Sequence, residues 1–241
     1  MNLRSLILLA LVAEPMLAGP VVLYDATLGT TPGTQGWFYN NPSGAVESIG
    51  AGFVDLDTTS ANSVKAGYGR IAPFALDIAG GVRLRFDAQL NSETHSSNDR
   101  AGFSVIAIGS GLTGIELGFW TDRVFAQNQA PLFTHGEQGF LDTTNLTSYD
   151  LFLSGSGYQL WGDGSLILSG ALRNYGAAFI PPYIVSNSLF LGDDTSSARA
   201  DVRLAYVEVE TLPEPATILL SSAVLLTLGL FRFSRRGKSG A

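Results

Sequence analysis

The chain has 241 residues and no cysteine, so no disulfide bond stabilises it and no thiol is available as a nucleophile or metal ligand. Its only two histidines, His95 and His135, are too far apart in the sequence to form a paired-histidine zinc motif. The Gly-x-Ser-x-Gly motif of many hydrolases is also missing. These absences exclude the commonest sequence signatures of thiol, serine and zinc catalysis.

Positive charge is scarce in the middle of the chain. Residues 19–212 contain 9 Lys and Arg against 19 Asp and Glu, which gives a net charge of −10. A surface of this sign repels nucleic acid and anionic lipid, so neither is expected as a partner. The charge is compatible with neutral sugars or divalent cations, although it also serves simply to keep a protein soluble.

The N-terminus has the features of a signal peptide. Arg4 precedes an apolar stretch, residues 5–13, and Ala18 is followed by Gly19. This order of a positive start, an apolar segment and a small residue predicts export with cleavage after Ala18, so that residues 1–18 are removed. An uncleaved N-terminal anchor is the alternative, and it exports the same domain.

The C-terminus carries a second hydrophobic segment. Pro213, Glu214 and Pro215 precede an apolar run, and four basic residues follow it: Arg232, Arg235, Arg236 and Lys238. Residues 216–231 would span about 24 Å as a helix at ~1.5 Å per residue, and Phe233 extends this length if Arg232 reaches the headgroups. The sequence therefore predicts a single membrane helix at about residues 216–233 with a cytoplasmic basic end. A buried C-terminal core helix is the alternative.

This order of Pro213-Glu214-Pro215, hydrophobic helix and basic end closely resembles the PEP-CTERM sorting signals of Gram-negative bacteria. The resemblance implies that residues 212–241 are a sorting tail and that an exosortase-type protease is a partner. It also implies passage through the inner membrane, followed by release or anchoring at the cell surface or in the extracellular matrix.

Between these signals, alternation predicts β-structure. Apolar residues at every second position of segment 82–90 are typical of a half-buried strand. Similar strands are predicted at residues 103–108, 115–120, 123–127, 149–153, 158–161, 166–169, 189–191 and 202–210. Asp163-Gly164 predicts a hairpin between two of them. Since no amphipathic helix is evident, residues 19–211 are predicted to form one all-β domain, an antiparallel sandwich or barrel.

The segments around this hairpin, 149–153 and 158–170, resemble the central hairpin of concanavalin A-like and laminin G-like jelly rolls. Residues 190–194 before a final strand are similar to the end of such domains. The chain also resembles the small bacterial "choice-of-anchor" domains. The resemblance implies a jelly-roll β-sandwich, a surface location and binding of glycans.

Segment 114–120 carries the residues best suited to bind a ligand. Alternation places Glu116, Gly118 and Trp120 on one face of the strand, and Arg123 begins the next strand. An indole that stacks on a sugar, a carboxylate that accepts from its hydroxyls and a glycine between them would form a sugar subsite. Alternatively, Trp120 packs under a loop and Glu116 pairs with Arg123.

Catalysis by glycoside hydrolysis requires two carboxyl groups across the scissile bond. Laminarinase-like glycosidases of this fold carry a Glu, an Asp two residues on and a second Glu, whereas Gly118 and Trp120 or Thr121 follow Glu116 here. Glu137 or Asp142 could supply a second carboxylate from the following loop, at a distance from Glu116 that the sequence does not fix. We therefore expect a protein that is not an enzyme, with glycoside hydrolase as the alternative.

The remaining polar segments are weaker candidates. Asp193 and Asp194, with the hydroxyls that follow them, would suit a calcium ion, although such aspartates also cap their own turns. Calcium is the one cofactor considered. His95 is predicted on an exposed polar loop, and His135 is predicted on a loop that borders a cleft only if it folds over Glu116.

Together these features predict an exported, exosortase-sorted surface or matrix protein that binds polysaccharide or another envelope component. A structural matrix protein that binds no small ligand is the further alternative.

Overall fold

The computed structural model describes residues 19–73 and 76–212. The predicted signal peptide and all of the predicted sorting tail except Leu212 lie outside these residues. In the described part of the chain, no helix has the length and apolar character needed to cross a membrane.

Sixteen strands and three short 3₁₀ turns form the described structure. The turns are Ala26–Leu28, Pro32–Gln35 and Gly176–Ala178. The strands are β1 (Val21–Asp25), β2 (Phe38–Asn40), β3 (Val46–Gly50), β4 (Phe53–Asp57), β5 (Ala66–Ile71), β6 (Val82–His95), β7 (Ser104–Ile108), β8 (Thr113–Trp120), β9 (Arg123–Gln127), β10 (His135–Phe140), β11 (Thr147–Ser154), β12 (Gly157–Gly162), β13 (Ser165–Ala171), β14 (Arg173–Asn174), β15 (Ser188–Asp193) and β16 (Ala198–Thr211).

The strands form two antiparallel sheets of eight strands each. Sheet A has the order β13-β12-β11-β6-β16-β4-β3, with β1 also paired to β16. Sheet B has the order β10-β9-β8-β7-β15-β5-β2, with β14 paired to β8. The prediction of an all-β antiparallel sandwich is confirmed.

Alternation along the central strands builds the core between the sheets. Leu84 and Phe86 of β6 are buried, as are Leu117 and Phe119 of β8. The Phe86 ring meets the Phe119 ring edge-on at 6.0 Å and stacks on Tyr149 at 4.9 Å. Each such buried side chain stabilises the fold by about 1.5–3 kcal/mol, so the core alone provides a large stabilising term without disulfides.

The hairpin predicted at Asp163-Gly164 joins β12 to β13. Both residues have positive φ, 47° and 77°, which a tight turn between strands requires. The carboxylate of Asp163 also accepts a hydrogen bond from the Ser148 amide at 3.1 Å, which ties the turn to β11. In the middle of sheet A, β16 pairs with β6 from Ala198 to Thr211 and ends where the Leu212 amide donates to the Gly81 carbonyl.

Candidate functional site

The outer side of sheet B is covered by three loops, residues 96–103, 128–134 and 175–187, which we call the covering loops. Trp120 Nε1 donates to the Arg100 carbonyl at 2.9 Å, and the side-chain Nε2 of Gln127 donates to the Phe133 carbonyl. Tyr175 and Tyr183 of the third loop are both buried. The loops therefore enclose the face on which sequence alternation places Glu116 and Trp120.

Glu116 lies at the centre of this enclosed region and is only 1% exposed. The Tyr183 hydroxyl lies 2.9 Å from Glu116 Oε2 and also contacts Asp194 Oδ2. Because a phenol carries one proton, both contacts are hydrogen bonds only when one of the two carboxyl groups is protonated and donates to the phenol oxygen. Burial, reinforced by the charge of Asp194, raises the pKa of Glu116 to about 8, which favours Glu116 as the protonated member.

The resulting chain runs from the Glu116 carboxylic acid through Tyr183 to the Asp194 carboxylate. Burial also raises the pKa of Tyr183 well above its usual value, so the phenol keeps its proton. Arg100 Nη1 lies 3.8 Å from Glu116 Oε1, and the Ser104 hydroxyl lies 3.4 Å from the same atom. We refer to Glu116, Tyr183 and Asp194 as the buried acid chain.

Trp120 is packed on several sides and is 8% exposed. The His95 imidazole lies parallel to its ring with centroids 4.0 Å apart, and the Phe125 ring is centred 5.1 Å away. Gly118 leaves no open space either, because a Cβ there would lie 2.6 Å from the Phe125 ring. Trp120 thus packs under a loop, as the alternative interpretation predicts, and the ring is not an open sugar platform.

Arg123 does not join Glu116. Its guanidinium pairs with Asp122 at 2.7 Å and lies 5.4 Å from the Trp120 ring, whereas the cation nearest Glu116 belongs to Arg100. Glu116, Trp120 and Arg123 therefore belong to two separate groups of contacts. Sequence alternation correctly predicts that Glu116 and Trp120 share a face, but it does not predict the loops that cover this face.

The other candidate residues also have local partners. Glu137 binds Arg173 and accepts from the Tyr158 hydroxyl at 2.6 Å, which links β10 of sheet B to β12 of sheet A. Asp142 accepts from the amide of Thr144 at 3.0 Å within its own turn. His135 stacks on Phe125 with centroids 4.0 Å apart, so it lies over the Trp120 end of the covered face.

Asp193 and Asp194 point to different surroundings. Asp193 is 2% exposed and accepts from the Thr58 hydroxyl at 2.9 Å and from the Thr195 amide at 3.0 Å, and burial raises its pKa to about 8. Asp194 belongs to the buried acid chain. Among residues 19–73 and 76–212, no group of three or more His, Asp or Glu side chains is placed to hold a metal ion. Calcium binding stays a prediction.

A groove of about 550 Å³ lies on sheet B beside the third covering loop, which forms one of its walls. It runs between β2, β5 and residues 180–185, and its lining includes Phe38, Asn40, Lys65, Ile71, Ile180, Phe190 and Asp194. Phe38 is 72% exposed, and Gly69 keeps the floor between the neighbouring strands low. Asp194 connects this groove to the buried acid chain.

Sheet A has an open outer face. Phe152 of β11, Gln159 of β12 and Ser169 of β13 are paired in register across three strands. Together with Ser154 and Gly157 they line a hollow of about 430 Å³. Beside it, Arg83 pairs with Glu208 and Glu210 at 3.0 Å each. The sequence predicts no ligand-binding residue on this face.

No protein-family model matches the sequence, and no curated protein matches it either. Similar solved structures include a carbohydrate esterase of the Shiga toxin-encoding bacteriophage phi24B, with a TM-score of 0.58 and 15% identity over 80% of this chain and 99% of that one. A Bacillus subtilis protein with a galectin-like fold has a TM-score of 0.54 and 9% identity over 83% and 100% of the two chains. The apo Crh5 transglycosylase has a TM-score of 0.50 and 11% identity over 83% and 88%. At these identities the likeness establishes the fold alone, a β-sandwich of the galectin-like kind.

Proposed function

We propose that this protein is an exported, non-enzymatic surface or matrix protein whose jelly-roll domain binds polysaccharide. The observation that carries the proposal is the groove on sheet B. It combines aromatic and aliphatic walls with a few polar groups, which is the usual composition of a small-ligand site. Its volume of about 550 Å³ suits one or two sugar units.

The groove offers the contacts that a sugar requires. The exposed ring of Phe38 can stack on the apolar face of a pyranose, while the Asn40 amide, the Lys65 ammonium and the Asp194 carboxylate exchange hydrogen bonds with hydroxyl groups. Asp194 is held in place by the Tyr183 hydroxyl. A pre-positioned carboxylate loses little conformational entropy when a ligand binds, which favours affinity.

Glu116 supports a binding role for the groove and not hydrolysis. A glycosidase needs two carboxyl groups on either side of the scissile bond. The carboxyl group nearest to Glu116 through hydrogen bonds is Asp194, and the Tyr183 phenol stands between them. Since Glu116 is 1% exposed, a glycosidic oxygen cannot reach it without displacement of the third covering loop.

Delivery to the surface is the second part of the proposal and rests on the sequence of residues 212–241. An exosortase-type protease would recognise Pro213-Glu214-Pro215 while the following helix holds the chain in the inner membrane. In a host that lacks this protease, the full chain should keep its tail, and Glu214→Ala should do the same in the normal host. Identical C-terminal peptides in all three cases, measured by mass spectrometry, would contradict sorting.

Binding is tested with residues 19–212, which form one compact unit with its own core. Isothermal titration with bacterial and plant polysaccharides should give measurable affinity for some of them, and parallel titrations with calcium and with EDTA test the calcium prediction. Phe38→Ala should abolish binding in the groove. The titration should then show a lower affinity or fewer binding sites per domain.

Phe140→Ala is the matched control, because Phe140 is equally exposed at 73% but lies on β10, away from the groove lining. It should leave binding unchanged. An absence of binding across the panel would favour the structural matrix protein, and equal effects of the two variants would show that the groove is not the site.

A further inference from the structure

The hollow on the outer face of sheet A is a further concavity of the described chain. It lies on the opposite side of the sandwich from the groove, because the two sheets face each other through the core. Its volume of about 430 Å³ again falls in the range of small-ligand sites. The lining residues are Phe152, Ser154, Gly157, Tyr158, Gln159, Ser169 and Gly170.

The backbone of β12 explains why the surface is concave here. Strand alternation turns Gly157, Gln159 and Trp161 outward, while Tyr158 and Leu160 are buried. Gly157 is paired with Ser154 on β11 and with Ala171 on β13, and it contributes no side chain, so space remains beside Gln159, which lies between Phe152 and Ser169. A Cβ at Gly157 would lie 3.3 Å from the Gly170 carbonyl, so alanine fits there only if that carbonyl moves by a small amount.

The polar groups of the hollow carry no formal charge. Gln159 is exposed, and its side-chain oxygen accepts from Trp161 Nε1 at 3.2 Å, which leaves the amide NH₂ directed away from that contact. The hydroxyls of Ser154 and Ser169 are on exposed residues. An aromatic ring beside an amide donor and two hydroxyls matches the hydroxyl groups and the apolar face of a neutral sugar.

The charges around the hollow oppose an anionic ligand. Arg83 is already paired with Glu208 and Glu210. Arg85 donates to the neutral Ser148 hydroxyl at 3.0 Å and forms no ion pair among the described residues, so it is the one guanidinium of the two that lacks a carboxylate partner. Asp150 adds a further carboxylate to the same face. A negatively charged polysaccharide would therefore meet net repulsion here.

We infer that the hollow of Phe152, Gln159 and Ser169 is a second glycan site, selective for neutral chains, and that groove and hollow together make each domain a cross-linker of polysaccharide. The inference rests on the proposed function for the groove. Two sites on opposite faces cannot grip adjacent units of one short oligosaccharide, so they recruit two chains or two distant parts of one chain. Modest affinity at each site is then sufficient for a network, because many domains act on each polymer.

The experiment uses the domain of residues 19–212, after sedimentation has been used to select conditions in which it is monomeric. The neutral probes are dextran, xyloglucan and a β-1,3-glucan, and the anionic probe is polygalacturonate. A short oligosaccharide of the polymer that binds gives the number of sites by titration, and polymer mixtures give cross-linking by turbidity. We expect two sites per domain and turbidity with a neutral polymer. Phe152→Ala with Gln159→Ala and, separately, Phe38→Ala should each leave one site and abolish turbidity, while Phe140→Ala retains both.

The failures of the two proposals are distinguishable. One site per domain, lost in Phe38→Ala and unaffected by the hollow variant, would overturn the second site but keep the proposed function. Binding of polygalacturonate alone would overturn the selectivity for neutral chains. Turbidity that persists in the hollow variant would also overturn the inference, because cross-linking would then come from association of the domains. No binding by any variant would contradict the proposed function and, with it, this inference.

Discussion

The outer faces of the two sheets differ in what lies over them. Sheet B is covered by loops along β8 and β9, where Glu116 and Trp120 are buried, whereas sheet A presents half-exposed side chains such as Arg83 and Trp161 directly to solvent. The same residue types thus serve different purposes on the two faces. On sheet B they anchor loops, and on sheet A they face solvent, where Arg83 pairs with Glu208 and Glu210 and Trp161 donates to Gln159.

The largest expected difference between the faces concerns their tryptophans. Trp120→Ala should destabilise the domain by about 3–5 kcal/mol, because it removes a buried ring stacked on His95 and a hydrogen bond to Arg100. Trp161→Ala, on the open face, should cost less than about 1 kcal/mol. Urea unfolding followed by far-ultraviolet circular dichroism measures both. Equal losses would mean that the two rings are equally buried in solution.

The second difference is the response to pH. Burial raises the pKa of Glu116 to about 8 from an ordinary value of 4.5. Between these values the folded chain holds a proton that the unfolded chain releases, so its contribution to stability is complete below about pH 4.5 and is lost as the pH rises to about 8. The urea midpoint should therefore decline over this window.

Glu116→Gln tests this origin, because an amide donates to the Tyr183 oxygen as the carboxylic acid does but does not titrate. The variant should show a shallower decline. Part of the pH dependence of the urea midpoint should remain, because burial also raises the pKa of Asp193 to about 8. The double variant Glu116→Gln with Asp193→Asn should remove most of this remaining pH dependence. A full decline in the double variant would show that other groups control the stability in this window.

The sequence predicts the strands of the sandwich better than it predicts the positions of the covering loops. Alternation identifies most strands from β6 onwards, including β6 and β16, because their apolar residues face one continuous core. It does not predict β10 or β14, and it also misses the first five strands. Three of them, β2, β3 and β5, either carry exposed apolar residues such as Phe38 and Val46 or contain two glycines, so their alternation is weak.

The buried acid chain shows why the site itself could not be predicted. Glu116 and Tyr183 are 67 residues apart in the sequence, and they meet only because the third covering loop folds back over β8. Strand periodicity fixes the face to which a side chain points, but not what a distant loop places on that face. The hollow on sheet A is not predicted from the sequence for the same reason, because the hollow depends on the register of β11, β12 and β13.

The smallest expected effect concerns the arginines of the two faces. Arg83→Gln breaks pairs with Glu208 and Glu210 that lie partly in solvent, so it should cost about 0.2–1 kcal/mol, and the cost should shrink in ~1 M salt. Arg100→Gln removes a cation that lies 4.6 Å from the Phe133 ring and faces the buried acid chain, where salt screens little.

Arg100→Gln should lower the free energy of unfolding more than Arg83→Gln does, and this loss should persist at high salt. Urea unfolding of both variants at low and high ionic strength measures the difference. If the two variants lost the same stability with the same salt dependence, the covering loops would not exclude solvent from sheet B, and Glu116 would have no reason to keep its proton at neutral pH. The comparison of two modest effects therefore tests the enclosure on which the assignment of the buried acid chain depends.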